Sequence, residues 1–391
     1  MTTPWLILSC ALILLSAIMD NARGPLLPHL TEVLELSPQT GSLFFVLASF
    51  AAALTGLFFT FLSQRFAIQK FLCLACALGS VTAFLAFVTH SGAALLLLGV
   101  MIGISVNIIN TLANVCSVAA ASPQKRGRAA AIVNMFYGVG AFIGPLWAGL
   151  ILTHHQPWSL TYWPLGILFA LIPFVFFAFL KSRNSSDKSH QIQISNDSRT
   201  TPHKITSTQW GFIVIVNLYA VSEILACVWM STYLVAAYHD TAADAAWINA
   251  GFFLVFTLSR LLAGIFLTPQ NEKTLLAIAL VGGCATLLLG MLAHPFFFVA
   301  SGMIGLVFPA LYGQMTRRWE QQITQLSFAL FTIMQIEVGS AHLLIGQLVT
   351  SFGITRAYIL PVVTMALMTF LYFSIFRPAN TKAIAFQSQP E

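Results

Sequence analysis

Apolar runs of helix-spanning length dominate this chain and leave few folds open to it. Cys73–Thr89 is a clear case, apolar on every face and longer than the ~10-residue alternating segments of a membrane barrel. Backbone groups in hydrocarbon have no water to bond, so a spanning segment must be a helix or part of a closed barrel. The length and all-round apolarity of these runs select helices. Composition agrees: 58% of residues are hydrophobic and 8% charged, with a mean hydropathy of +0.84. A soluble domain has about a quarter of its residues charged.

At about 20 residues per span, the runs predict twelve helices. They are Trp5–Leu30, Ser42–Leu62, Phe71–Thr89, Ala93–Ala121, Ala129–Thr153, Tyr162–Leu180, Trp210–Tyr238, Ala245–Leu267, Thr274–Ala293, Pro295–Met315, Thr324–Ser351 and Ala357–Phe376. The polar run KSRNSSDKSHQIQISNDSRTTPHKITSTQ, residues 181–209, has no apolar stretch able to enter a core and reads as a solvated tether. The expected organisation is a six-helix bundle over 1–180, a linker over 181–209, a second six-helix bundle over 210–378 and a tail over 379–391.

With both termini in the cytoplasm, all eighteen Lys and Arg except Arg23 and Arg356 fall on the inside, as the positive-inside rule requires. The net charge of +6 then follows from topology and needs no nucleic-acid partner. MTTPW lacks the basic start of a secretory signal, so the first run is expected to be a helix. The six cysteines all lie in apolar runs. Even the C-x-x-C of Cys73 and Cys76 reads as packing, with no metal or cofactor implied.

Acids inside the apolar runs carry the functional signal, because a charge at a helix centre costs about 2.5–3.5 kcal/mol on insertion scales. Asp20 lies about 22 Å along the first helix, with Arg23 three residues on and able to pair with it. Glu223 lies in the seventh, with no basic residue within a turn of it and with Tyr219, Trp229 and Tyr233 on the same helix. These two are the expected proton-coupling groups, and Arg23 either tunes Asp20 or binds an anionic solute. In the eleventh helix, either Glu337 or the pair Gln335/His342 is expected to line a cavity, since they point to opposite faces. Asn107, Asn110 and Asn114 form one stripe of the fourth helix that must face inward, for solute binding or for helix packing. Gly140 and Gly144 permit close helix approach beside Pro145, where a bundle can bend. Arg65 and Arg260 sit in corresponding places near the ends of the second and eighth helices, an echo of internal repetition.

The fifth-helix run GVGAFIGPLWAG resembles the Gly-Pro motif of the major facilitator superfamily, with Ala148 where drug:proton antiporters have a second glycine. Glu223 with Trp229 and Tyr233, the three asparagines, and Asp20 ahead of Pro28 resemble the fucose-permease-like branch. Asn134 stands where that branch often has histidine. In the loop LSQRFAIQK, Gln64 and Ala67 replace the superfamily's aspartate and glycine, and Arg65 is kept. The resemblance implies a monomeric secondary transporter of the bacterial inner membrane. It would carry a small organic solute with protons by alternating access, with Asn134, Tyr219, Trp229 and Tyr233 among the solute contacts. The alternatives are proton-driven efflux of a drug or metabolite, a polytopic membrane enzyme and a non-transporting nutrient sensor. Neither an ATP-binding G-x-x-x-x-G-K-[ST] loop nor an H-E-x-x-H motif is present.

Overall fold

Twelve helices of the computed structural model are long and apolar enough to cross a membrane. The structure describes residues 3–63, 68–119, 121, 126–183, 204–268 and 270–375, and every regular element among them is helical. Arg65 lies outside the described residues, as do the tail and most of the expected linker. The first half comprises α1 (Thr3–Asn21), α2 (Arg23–Val33), α3 (Pro38–Ser63), α4 (Ile68–Leu85), α5 (Gly92–Ala119), α6 (Arg126–Thr153) and α7 (Trp163–Arg183). The second comprises α8 (Ser207–Tyr238), α9 (Ala242–Phe266), α10 (Glu272–Leu292), α11 (Phe297–Ser301), α12 (Val307–Arg318), α13 (Ile323–Phe352), α14 (Ile354–Ala357) and α15 (Leu360–Ile375).

Two expected spans are broken, each for a local reason. The first divides into α1 and α2, because Pro25 has no N–H for the carbonyl of Asn21 and Gly24 precedes it. The tenth divides into α11, a 3₁₀ stretch at Gly302–Leu306, and α12. There Gly302 and Gly305 lie directly on the Phe252 and Phe256 carbonyls of α9, an approach no side chain permits. At the linker, helix takes in the ends of the polar run: α7 continues to Arg183 and α8 begins at Ser207. A capping box pairs Thr206 with Gln209 at that start.

Small residues set the packing inside each half, as expected where lipid supplies no hydrophobic drive between helices. Gly140 and Gly144 of α6 press on the Leu14 and Ile18 carbonyls of α1, so their spacing serves close contact, and α6 runs unbroken through Pro145. Gly99 and Gly103 of α5 do the same against Phe44 and Ala48 of α3. Cys73 and Cys76 are free thiols.

The halves meet along α3 with α13 and α6 with α9. On α6, Gly149 packs on Ala246 and Gly138 on Thr257, whose hydroxyl donates to the Gly138 carbonyl at 2.9 Å. On α13, Gly346 abuts Ser42, and Gly339 abuts Ser49 and Phe50. Gly24 of α2 lies against the Val228 backbone of α8. All these contacts run from mid-bundle to one end, here the far end, opposite the end where α1 begins and α15 finishes.

Toward the near end the same helical faces are uncovered. Asn134 and Met135 continue the Gly138 face of α6 within about one turn, and both are exposed. Leu261 continues the Thr257 face of α9 and is exposed; Phe328 and Phe331 continue the Gly339 side of α13 and are exposed. The halves are therefore sealed at the far end and part toward the near end, leaving a crevice between them.

Candidate functional site

The apex of that crevice carries two intramembrane ion pairs, one from each half. At the break between α1 and α2, Arg23 Nη2 pairs with Asp20 Oδ1, and Arg23 Nε donates to the Asp20 backbone carbonyl at 2.9 Å. The guanidinium lies over the rings of Phe44 and Phe45, at 5.9 and 5.4 Å from their centroids. Its Nη1 is buried and has no hydrogen-bond partner among the described residues. In the second half, Arg260 of α9 reaches Glu223 of α8 with Nη2 at 3.4 Å from Oε1. That guanidinium stacks on Phe256 at 4.2 Å and lies 5.9 Å from the Phe308 centroid.

Arg260 was expected to be a charge near a helix end, matching Arg65. The fold instead turns it inward, and the carboxylate that had no basic neighbour along its own helix finds one across the bundle. Sequence separation conceals this pair, since 37 residues part its members.

Tyr137 of α6 connects the two sites, and no spacing or motif around it marks it out. Its hydroxyl donates to Asp20 Oδ2 at 3.3 Å, and it stands within electrostatic reach of both Glu223 and Arg260 of the other half. It lies one residue from Gly138, so the close contact of α6 with α9 is what brings it there. Cys227 likewise stands within electrostatic reach of Glu223 and Asp20.

Two aromatic candidates hold helices together. Tyr219 is fully buried and donates to the Ile304 carbonyl at 2.8 Å, holding α8 to the tenth span. Tyr233 is buried near the far end, donates to the Met291 carbonyl at 3.1 Å and stacks on Tyr358 at 4.6 Å. Both hydroxyls thus bond carbonyls within the second half, and that of Tyr219 also stands beside the Glu223 and Arg260 side chains. Trp229 donates from Nε1 to His342 Nδ1 at 3.1 Å, and the His342 ring stacks on Phe45 of the first half at 5.0 Å. These three rings form part of the far-end seal.

On α13 the either-or expectation resolves into three positions. His342 belongs to the seal, and Gln335, half-buried, sits one turn nearer the crevice mouth than Gly339. Glu337 is half-buried and turned toward Asn217 of α8, close to it but outside hydrogen-bond geometry. The asparagine stripe of α5 does face inward. Asn107 donates to the Ala52 carbonyl of α3 at 2.5 Å, Ser16 of α1 donates to Asn110 Oδ1, and Asn114 bonds the Asn110 carbonyl one turn back. Asn107 and Asn110 thus tie α5 to its neighbours. Asn134 is exposed at the crevice wall and, among the described residues, bonds its own helix at the Ala130 carbonyl. Among the described residues, no three His, Cys, Asp or Glu side chains gather as a metal site would require.

Two six-helix halves joined at one end around a crevice with partly buried ion pairs define a membrane transporter of the alternating-access kind. The family model of the Major Facilitator Superfamily matches residues 9–341, and the chain belongs to that superfamily. It is a secondary transporter and not an enzyme. Among curated proteins, none matches it in sequence.

Its fold is similar to that of a bacterial homologue of the human lysosomal transporter Spinster, in an inward-facing and occupied conformation. That superposition has a TM-score of 0.73 at 16% identity and covers 99% of this chain and 98% of the other. The nucleoside transporter NupG gives 0.71 at 13% identity over 97% of this chain and 99% of that one. The E. coli fucose:proton symporter FucP gives 0.59 at 18% identity over 96% and 98%. At these identities the likeness is one of fold. The fucose symporter superposes less well than the other two, so the fold does not single out its branch.

Proposed function

We propose that this transporter moves a small organic solute together with protons across a bacterial cytoplasmic membrane, working as a monomer with its near end in the cytoplasm. The observation that carries the reading is the meeting of two carboxylate–arginine pairs at the crevice apex, one fixed to each moving half and both within reach of Tyr137. An ionised acid at that depth costs several kcal/mol unless it is paired. Protonating Asp20 or Glu223 removes the charge that holds its arginine. The proton thereby changes the balance of forces between the halves at the point where they touch, which is what coupling requires.

The positive-inside distribution of Lys and Arg supports the orientation. The near-end opening then corresponds to an inward-open state. Sugar-like solutes, as the resemblance to the fucose-permease-like branch implies, remain one substrate class within this reading.

The test is uptake into proteoliposomes under an imposed proton gradient. Asp20→Asn and Glu223→Gln are each expected to abolish gradient-driven accumulation while solute counterflow persists. Accumulation equal to wild type in both variants would overturn proton coupling through these residues. Binding without counterflow in the wild type would favour a sensor.

Efflux of an amphipathic compound is the second reading. It is favoured by the apolar crevice wall at Met135, Leu261 and Phe331, and it predicts proton-driven loss of solute from loaded cells.

A further inference from the structure

The second half's ion pair is flanked by an aromatic surface that the coupling scheme does not use. Phe308 and Tyr312 of α12 stack with 5.7 Å between centroids at 18°, and the Phe331 ring of α13 lies 6.3 Å from each. Phe331 is 42% exposed, while Phe308 and Tyr312 are half-buried. The Tyr312 hydroxyl is 2.8 Å from that of Ser327, which fixes α12 against α13.

This surface belongs to the crevice. Phe308 lies under the Arg260 guanidinium, and Arg260 itself stands within reach of Tyr137 from the opposite half. An isolated aromatic wall would be an ordinary packing feature. Here it adjoins a cation whose hydrogen-bonding capacity is largely unused.

Arginine offers five N–H donors in a planar fork. Among the described residues, Arg260 makes one hydrogen bond, from Nη2 to Glu223 at 3.4 Å, and the Tyr219 hydroxyl stands beside its guanidinium. Its Nε is buried with no partner, yet the side chain as a whole is 27% exposed. Arg23 differs: it makes two contacts to Asp20 and is 13% exposed. A guanidinium left short of acceptors at the mouth of an aromatic wall suits a ligand that brings both an acceptor and a ring.

We propose that the crevice binds a planar aromatic anion, its carboxylate or equivalent acid group on Arg260 and its ring against Phe331, Phe308 and Tyr312. The proposal deepens the transport reading by naming a substrate class, and it rests on the crevice being the solute path.

The experiment measures equilibrium binding to the full-length protein in lipid nanodiscs, without any ion gradient and with empty nanodiscs as the blank. The probes are 2-naphthoate, its neutral analogue 2-naphthalenemethanol, and the saturated decahydro-2-naphthoate. Naphthoate is expected to bind at least tenfold tighter than either analogue. Phe331→Ala, at an exposed position where folding is not at risk, is expected to weaken naphthoate about tenfold and to leave decahydronaphthoate nearly unchanged. Arg260→Gln is expected to abolish the preference for the anion over the alcohol. Because that variant leaves Glu223 without its partner, Glu223→Gln/Arg260→Gln serves as the second, charge-neutral variant, with the same loss expected.

Equal affinity for the three probes, or an anion preference that survives in both Arg260 variants, overturns the proposal. Because no gradient is present, failure of proton coupling leaves this result standing. Conversely, absence of naphthoate binding in a protein that still accumulates another solute with protons sinks the substrate class alone.

Discussion

The two ion pairs at the crevice apex have the same chemistry and opposite construction. Asp20 and Arg23 are three residues apart, held at a helix break, with the guanidinium bonded to both the side chain and the backbone of its partner and covered by Phe44 and Phe45. Glu223 and Arg260 come from different helices and meet at 3.4 Å, with Arg260 twice as exposed as Arg23, at 27% against 13%. A pair built from one stretch of chain moves as a unit with its own helix. A pair spanning two helices is made or broken by their relative position, so it is the more responsive of the two to a proton or a solute. Tyr137 ties the stiff pair to the neighbourhood of the loose one.

The sharpest way to break this contrast is Arg23→Gln, which strands the Asp20 carboxylate under the far-end seal. Losing one partner of a buried pair costs about 3–5 kcal/mol. The variant is expected to show the largest drop in thermal stability of the purified protein, and Asp20→Asn/Arg23→Gln should recover a substantial part of it. Arg260→Gln should cost less, about 1–3 kcal/mol on the same assay, because its pair is longer and a charge bonded across such a gap has less to lose. A larger loss at Arg260 than at Arg23 would reverse the assignment of stiff and loose pairs.

Tyr137→Phe sharpens the link between them. Removing one 3.3 Å hydrogen bond is expected to lower stability by about 1 kcal/mol. It should also displace the pH profile of uptake, whereas Tyr238→Phe, whose hydroxyl donates to the Gly290 carbonyl at 2.7 Å, should affect stability and leave that profile in place.

The smallest effect belongs outside the membrane. At the far end, in the loop after α8, partial burial and the neighbouring Asp244 raise the pKa of Asp240, opposed by His294. A raised carboxyl favours the folded state most below its unfolded value and loses that contribution as pH rises through its folded value. Asp240→Asn should therefore stabilise the protein slightly at pH 7, by less than about 0.5 kcal/mol after solvent screening. The gain should vanish as pH falls toward the ordinary carboxylate range.

Much of this architecture was legible in the chain because hydrocarbon leaves the backbone so few options. Twelve apolar runs became twelve spans, and the small residues Gly140 and Gly144 became a helix contact, since both follow from local composition and spacing. The Asp20–Arg23 pair was legible for the same reason: three residues along a helix is a distance the sequence states. The carbonyl partners of Tyr219 and Tyr233 were not legible, because a tyrosine facing a solute and a tyrosine bonding a distant carbonyl look alike until the carbonyls of Ile304 and Met291 are in place.

What the amino-acid order determined by itself was the solvent, the helices, their division into two halves and the acids too costly to leave unpaired. Tertiary structure decided which partner each acid took, which end of the bundle closed, and that Tyr137 and Arg260 stand at the meeting of the halves. The reason is the reach of each interaction. Hydrogen bonds within a helix and burial in lipid act over a few residues and can be read in order, whereas a contact between helices depends on how whole surfaces fit. No local pattern encodes that fit.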